Sequence, residues 1–197
     1  MNTALLIAAA AAAGFVVVFT LDGWTRPEYR PVYHPVSALA LGGRGWVQTA
    51  NFIAAGAGVT FGGLTLVGTT WPFGVALAVL GLGTVASGAF RMDPMRGYPP
   101  GTPEGDPEQF TWRHRWHDHA GFVVFATLPV AAVIAVFAPA LSGPLRLVSA
   151  VVAVTNAMLA MKFGQAWEAD HPRTGLWQKL ALGIGWGWLA AVFFALA

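Results

Sequence analysis

The chain has 197 residues, of which 56% are hydrophobic and only 10% are charged, and its mean hydropathy is +0.59. Soluble domains carry about 25% charged residues, so this composition excludes an ordinary soluble domain and indicates an integral membrane protein. The formal charge is only +2 and there is no run of Lys and Arg, which argues against nucleic acid as a partner. Without cysteine the chain has no disulfide and no thiolate metal site.

Six apolar stretches are long enough to span a membrane, because crossing the hydrocarbon takes about 20 apolar residues in a helix. They are Thr3 to Thr20, Trp46 to Gly68, Pro72 to Arg91, His119 to Ala140, Pro144 to Gly164 and Gly175 to Ala197. We predict an all-α fold: a single domain over residues 1–197, built as an antiparallel, up-down bundle of six transmembrane helices. The first stretch has no basic segment before it, so a retained helix is preferred over a cleaved signal peptide.

The loop after the first helix, Leu21 to Arg44, contains three prolines followed by Ser37. This pattern predicts a short interfacial helix with Ser37 as its N-cap. The loop before the fourth helix, Met92 to Asp118, is rich in proline and glycine and is expected to be extended. The gaps around Thr70 and Ser142 are short, which predicts helical hairpins.

Within the predicted helices, Gly58 and Gly62 have the GxxxG spacing that is typical of close helix packing. Asn156 falls near the middle of the fifth helix, where an amide is expected to hydrogen-bond to another helix. Lys162 and Lys179 lie near helix ends and are expected to extend their amines to water. The absence of an ionisable residue at the centre of any helix argues against a proton pump.

The charged residues are concentrated on one predicted membrane face. The loops after the first, third and fifth helices and the adjoining helix ends hold ten of the eleven Lys and Arg, all nine Asp and Glu and all five His, and only Arg146 lies opposite. The positive-inside rule then places these loops in the cytoplasm and both termini outside. Any chemistry of the protein is expected at this face.

The candidate polar site on this face comprises His34, Ser37, Asp93, His117 and Asp118. In one hypothesis, His34, Asp93, His117 and His171 are metal ligands, since imidazole and carboxylate groups bind zinc. A metal-bound water would be the nucleophile and Asp118 its base, and Ser37 would position the water or a lipid head group.

Structural roles compete with this hypothesis. The sequence has no HExxH or HxxxH motif, and polar loop groups usually make hydrogen bonds and salt bridges to other loops. That interpretation is preferred to a metal site. Haem and chlorophyll also accept imidazole as an axial ligand, and both rank after zinc. A b-type haem is disfavoured because no pair of histidines faces across the membrane interior.

Three motifs resemble a bacterial membrane family that is catalogued as domain of unknown function 998. They are His34-Pro-Val-Ser37-Ala-Leu after the first helix, Phe90-Arg-Met-Asp93-Pro94 with Gly97-Tyr-Pro-Pro-Gly-Thr-Pro103, and His117-Asp118 at the fourth helix. The resemblance implies six helices, a bacterial inner membrane and marked positions at Ser37, Asp93, Pro94 and His117. It also implies a histidine one turn before His117, for which His114 is the counterpart. It implies no activity.

A more distant similarity is to the membrane hydrolases that include alkaline ceramidases, in which a serine, an aspartate and three histidines hold zinc. Ser37, His34, Asp93, His117 and either His171 or His119 form a similar set. The sequence departs from those proteins in the order of its serine and first histidine, in lacking a late HxxxH, and in having six helices rather than seven.

Two classes of function remain. The preferred one is non-catalytic: an accessory subunit of a membrane complex, or a lipid- or pigment-binding protein, with membrane lipids and other membrane-protein subunits as partners. The alternative is a metal-dependent hydrolase that acts on lipid head groups at the membrane surface. Structural roles explain each polar residue separately, which favours the first class, while the clustering on one face keeps the second open.

Overall fold

The structure is a computed structural model that describes residues 2–197. It consists of six long α-helices and one short 3₁₀ helix, which lies in the loop after the first helix. The α-helices are α1 (Thr3–Thr25), α2 (Gly45–Leu66), α3 (Trp71–Ala89), α4 (Trp112–Val136), α5 (Gly143–Glu168) and α6 (Thr174–Leu196), and the 3₁₀ helix is Val36–Ala40.

The helices form a closed ring. Each α-helix packs against the next one in the sequence, and α6 returns to pack against α1. All six are long and apolar enough to cross a membrane, which confirms the predicted all-helical, six-span fold. The protein is therefore a multi-pass membrane protein, while the identity of its membrane and its orientation stay predictions.

Glycine allows the closest helix contacts in the ring. A Cβ atom added at Gly63 on α2 would lie 2.8 Å from the carbonyl oxygen of Gly74 on α3. One added at Gly58 would lie 2.6 Å from the Cβ of Ala11 on α1. Neither position has room for a side chain, which at Gly58 agrees with the close packing that the GxxxG spacing predicted.

Helix α4 begins at Trp112, seven residues before the predicted start at His119. Thr111 is its N-cap, and the Thr111 hydroxyl accepts a hydrogen bond from the His114 N–H at 3.3 Å. The predicted start was wrong because it was placed where the apolar run begins. The cap extends the helix through two polar turns, which puts His114, His117 and Asp118 on one helix.

The prediction of Ser37 as an N-cap was also wrong. The 3₁₀ helix begins at Val36, and Pro35 occupies the cap position without a side-chain hydrogen bond. Ser37 lies inside this short helix, and its hydroxyl is bonded to a residue of α4 instead.

Two polar residues inside the helices bond to neighbouring segments. The Asn156 amide of α5 donates to the Ala181 carbonyl of α6 at 2.9 Å, which confirms the predicted interhelical bond. The Lys179 amine does not extend to water as expected, because it donates to the His34 carbonyl at 2.7 Å. Lys162 is exposed, with its amine 4.8 Å from the centre of the Trp177 ring.

Candidate functional site

The loops after α1, α3 and α5 meet at one end of the ring. Arg30 of the first of these loops donates to the Arg96 carbonyl of the second at 3.3 Å. Tyr33 of the first loop donates its hydroxyl proton to the Asp170 carboxylate of the third at 2.6 Å. These contacts confirm that the polar groups of distant loops gather at a single end of the bundle.

A buried ion pair holds the first loop against α1. The Arg26 guanidinium lies 2.8 Å from the Asp22 carboxylate, and the two side chains are only 4% and 3% exposed. Arg26 also donates to the carbonyl oxygens of Leu39 and Arg44, each at 2.7 Å. Arg44 adds a second contact to Asp22 at 2.6 Å. One guanidinium thus fixes the start, middle and end of the loop and positions the 3₁₀ helix.

Arg96 holds the second loop against the end of α5. Its guanidinium bonds to the Asp106 carboxylate at 2.6 Å and to the Trp167 carbonyl at 3.0 Å. Burial alone would lower the pKa of Arg96, but the hydrogen bond and charge of Asp106 outweigh burial and raise it. The same hydrogen bond holds the pKa of Asp106 below its ordinary value. The pair therefore stays ionised at neutral pH.

His34 is 2% exposed and has both ring nitrogens in use. Nδ1 accepts from the Arg30 N–H at 3.0 Å, and Nε2 lies 3.1 Å from the Arg96 carbonyl, to which only a protonated nitrogen can donate. Burial lowers the pKa of His34 to about 4, and the positive charges of Arg30 and Lys179 act in the same direction. His34 is therefore a neutral, buried connection between two loops.

Asp93 anchors the start of α4. Its carboxylate accepts from the N–H and the hydroxyl of Thr111, both at 2.7 Å. Its own N–H donates to His114 Nδ1 at 2.8 Å. His114 is 1% exposed, and its Nε2 lies 3.3 Å from the half-exposed carboxylate of Asp118 one turn later. Asp93 thus supports the N-terminal cap of α4, and His114 connects Asp93 to Asp118.

Ser37 and His117 form the most direct contact between predicted site residues. The Ser37 hydroxyl oxygen is 2.8 Å from His117 Nε2. His117 Nδ1 lies 2.7 Å from the Phe90 carbonyl oxygen and 3.0 Å from that of Ser87. Carbonyl oxygens only accept, so Nδ1 carries the proton and the Ser37 hydroxyl donates to Nε2.

A cavity of about 380 Å³ opens beside this pair, inside the ring of helices. Its wall contains residues from all six α-helices and from the segment around Ser37. Most polar wall residues lie near the polar end of the bundle, and the full set is Ser37, Thr84, Ser87, His114, His117, Asp118, Glu168 and Gln178. The deeper residues are mostly aromatic or aliphatic and include Phe15, Phe52, Val124, Phe125, Leu182 and Trp186.

The cavity reaches far into the bundle, and some of its lining residues are exposed. Trp186 follows the start of α6 by 12 residues, which at 1.5 Å per residue is roughly 18 Å below the polar end. Phe122 of α4 and Gly164 of α5 line the cavity and are both exposed. The cavity wall is therefore least covered where α4 and α5 adjoin it.

The predicted metal ligands are held in separate hydrogen-bond networks. His34 bonds to loop backbone, Asp93 to Thr111 and His117 to Ser37. His171 is exposed, and its Nδ1 accepts from the Arg173 N–H at 3.1 Å. Among residues 2–197, no group of three or more His, Asp or Glu side chains is arranged to hold a metal ion. The geometry thus gives the zinc hypothesis no support.

Sequence reasoning missed three contributors to this site. Arg26 was recognisable only as the fourth residue after Asp22, a spacing that pairs charges on a helix. Arg96 had no local signal, because its partner Asp106 is distant in the loop. Gln178 is a lone amide in an apolar stretch, the same signal that identified Asn156, and its Oε1 accepts from the Val36 N–H at 2.6 Å.

Six membrane-spanning helices around an amphipathic cavity define the class as a polytopic α-helical membrane protein. The family model described as "Protein of unknown function (DUF998)" matches residues 9–195, nearly the whole chain. The protein belongs to this family, as its motifs indicated, whereas a bacterial origin stays a prediction. No curated protein and no solved structure matches the chain.

Proposed function

We propose that this protein binds one amphipathic lipid molecule in the cavity inside its helical ring. The observation that carries the proposal is the division of the cavity wall into a polar end, around Ser37, His117 and Gln178, and an aromatic interior that ends near Trp186. A lipid with one acyl chain and a small polar head has the same division.

The size and opening of the cavity support this ligand class. Small-molecule pockets usually measure about 300 to 1,000 Å³, and this one measures about 380 Å³. Phe122 and Gly164 are exposed lining residues of α4 and α5, and an entrance between these helices would let an acyl chain enter from the membrane without crossing water. Because an acyl chain that enters from the bilayer is already out of water, the aromatic interior contributes close packing contacts rather than dehydration. The polar end selects the head group.

The other functions considered from the sequence have less support. Binding of a pigment, service as an accessory subunit and metal-dependent hydrolysis are not favoured by any specific contact within residues 2–197. Lipid binding is favoured because it uses the polar loops and the aromatic interior together.

A photoreactive lipid tests the proposal. The probe is a monoacylglycerol with a diazirine and an alkyne in its acyl chain, added to the full chain in nanodiscs and mapped by mass spectrometry after irradiation. We expect adducts on the inner wall, at Phe125 and Leu182. Excess unlabelled monoacylglycerol should compete with them.

Two glycines provide a matched pair of variants. A Cβ at either Gly164 or Gly187 meets no atom within 4 Å, so both positions accept a side chain without a backbone clash. Only Gly164 lines the cavity. Gly164→Leu should lower the inner-wall adducts several-fold, and Gly187→Leu should leave them unchanged. Adducts spread evenly over the outer surface, or equal inner-wall labelling in both variants, would contradict the proposal.

A further inference from the structure

The Ser37–His117 contact has the three parts of an activated nucleophile. Ser37 supplies a hydroxyl, His117 Nε2 accepts its proton at 2.8 Å, and the Phe90 carbonyl fixes the other ring nitrogen at 2.7 Å. A serine is activated when a base is within hydrogen-bond distance and a third group orients that base. Here a backbone carbonyl takes the orienting role, so the unprotonated nitrogen of His117 faces the serine.

The Ser37–His117 pair lies where a molecule bound in the cavity could contact it. Ser37 is only partly buried, and both residues line the cavity at its polar end. The hydroxyl of Ser87, on the same wall, instead donates to the Gly83 carbonyl of its own helix at 3.0 Å. Of these two serines, Ser37 alone has an imidazole nitrogen as its acceptor.

Gln178 is bonded to the residue next to this serine and lines the same cavity. Its Oε1 accepts from the N–H of Val36, the residue before Ser37, at 2.6 Å, which leaves its Nε2 free to donate to a bound molecule. Amide groups of this kind stabilise the negative oxygen that forms when a hydroxyl attacks a carbonyl. Ser37 and His117 are thus in direct contact, and Gln178 is the candidate oxyanion donor because it is bonded to the residue before Ser37 and lines the same cavity.

We propose that Ser37 is a catalytic nucleophile, with His117 as its general base, and that it hydrolyses the carboxylic ester of the bound lipid. This inference rests on the proposed function for its substrate class, a lipid with one ester-linked acyl chain. The ester would lie where the polar end of the cavity meets its aromatic interior. His114 and Asp118 would contact the alcohol portion.

The reaction uses water as its second reactant. Ser37 Oγ bonds to the ester carbonyl carbon while its proton passes to His117 Nε2 and the carbonyl π electrons move to oxygen. The bond from carbon to the alcohol oxygen then breaks, and the His117 proton goes to that oxygen. Water attacks the acyl-serine ester and gives a proton to His117, and Ser37 Oγ leaves and takes that proton. The products are a carboxylic acid and an alcohol.

An alkyl fluorophosphonate tests the nucleophile directly, because it forms a bond from phosphorus to an activated serine oxygen and releases fluoride. We expect the full chain in nanodiscs to be labelled at Ser37 and the Ser37→Ala variant to be unlabelled. Ser142 lies in the turn between α4 and α5, at the opposite end of the ring. Ser142→Ala should be labelled like the unchanged protein.

The absence of cysteine from the chain permits a second test that separates activation from a structural role. Ser37→Cys introduces a single thiol, whose alkylation by iodoacetamide at neutral pH reports how far His117 promotes the thiolate. Adding His117→Gln should slow this alkylation roughly tenfold or more, in line with the contribution of a general base. The rate in Ser142→Cys should be the same with and without His117→Gln. Equal rates at position 37 would mean that the pair is only structural.

Hydrolysis of a monoacylglycerol, followed as released fatty acid, completes the experiment. Release that is lost in Ser37→Ala while photolabelling of the cavity persists supports the inference. Photolabelling without release in the unchanged protein, or without fluorophosphonate labelling, overturns the inference and leaves the proposed lipid binding intact. Absence of specific photolabelling overturns the proposed function, and with it the lipid ester as substrate.

Discussion

Replacing Asp22 with asparagine should destabilise the protein more than any exposed charge substitution. Asp22 is 4% exposed and, within residues 2–197, is the only carboxylate bonded to the buried Arg26. It also receives Arg44, whose side chain is 48% exposed. Asparagine keeps the shape and removes the charge, so the variant leaves the Arg26 guanidinium buried without a counterion.

The expected loss follows from this burial. Breaking a buried ion pair by removing one partner costs about 3 to 5 kcal/mol, because the other charge remains in a poorly hydrated place. Arg26 keeps its bonds to the carbonyl oxygens of Leu39 and Arg44, which favours the lower limit of about 3 kcal/mol. For a chain of about this length, that corresponds to a fall in the unfolding temperature of roughly 6 to 12 °C.

Thermal unfolding in detergent, followed by tryptophan fluorescence at a fixed scan rate, measures the difference between variants. Glu104→Gln is the control, because Glu104 pairs with Arg30 at 3.7 Å and these side chains are 77% and 54% exposed. Exposed pairs contribute about 0 to 1 kcal/mol, so the control should unfold within roughly 4 °C of the unchanged protein. Equal unfolding temperatures for Asp22→Asn and Glu104→Gln would refute the reasoning.

Two further predictions concern stability. His34 has its pKa lowered to about 4 by burial, against about 6.5 when unfolded, so the unfolded chain binds more protons between these values. The free energy of unfolding should therefore fall by up to about 3 kcal/mol as the pH drops from 7 to 4. Unfolding midpoints measured across this range should depend less on pH in His34→Gln than in the control His171→Gln, because His171 is exposed. Gly63→Ala should cost about 1 to 3 kcal/mol by overpacking α2 against α3. Gly187→Ala meets open space, so equal unfolding temperatures for these two variants would contradict the close packing.

The membrane helices could be predicted because hydropathy is a local property. Every predicted stretch overlaps an observed helix, since lipid allows no other way to satisfy the backbone of an apolar segment. The polar ends of helices carry no such signal. The seven-residue error at the start of α4 arose because the cap at Thr111 depends on Asp93, which lies 18 positions earlier.

The candidate site was only partly predictable, for the same reason. Ser37, Asp93, His117 and Asp118 were predicted as site residues, and two of them, Ser37 and His117, are in direct contact across 80 positions of sequence. The sequence did not indicate which residues would pair. His34 had the same apparent metal-binding chemistry, yet the fold uses both of its ring nitrogens in bonds to loop backbone.

Composition and periodicity alone determined that the chain crosses a membrane and that its polar residues gather at the helix ends, because the cost of placing charge in hydrocarbon acts on each residue separately. Closure of the ring by α6 against α1, the cavity inside it and the pairing of Ser37 with His117 were decided by tertiary structure. Each of these depends on the distance between segments far apart in the chain, and that distance is set by packing and hydrogen bonds that exist only after folding.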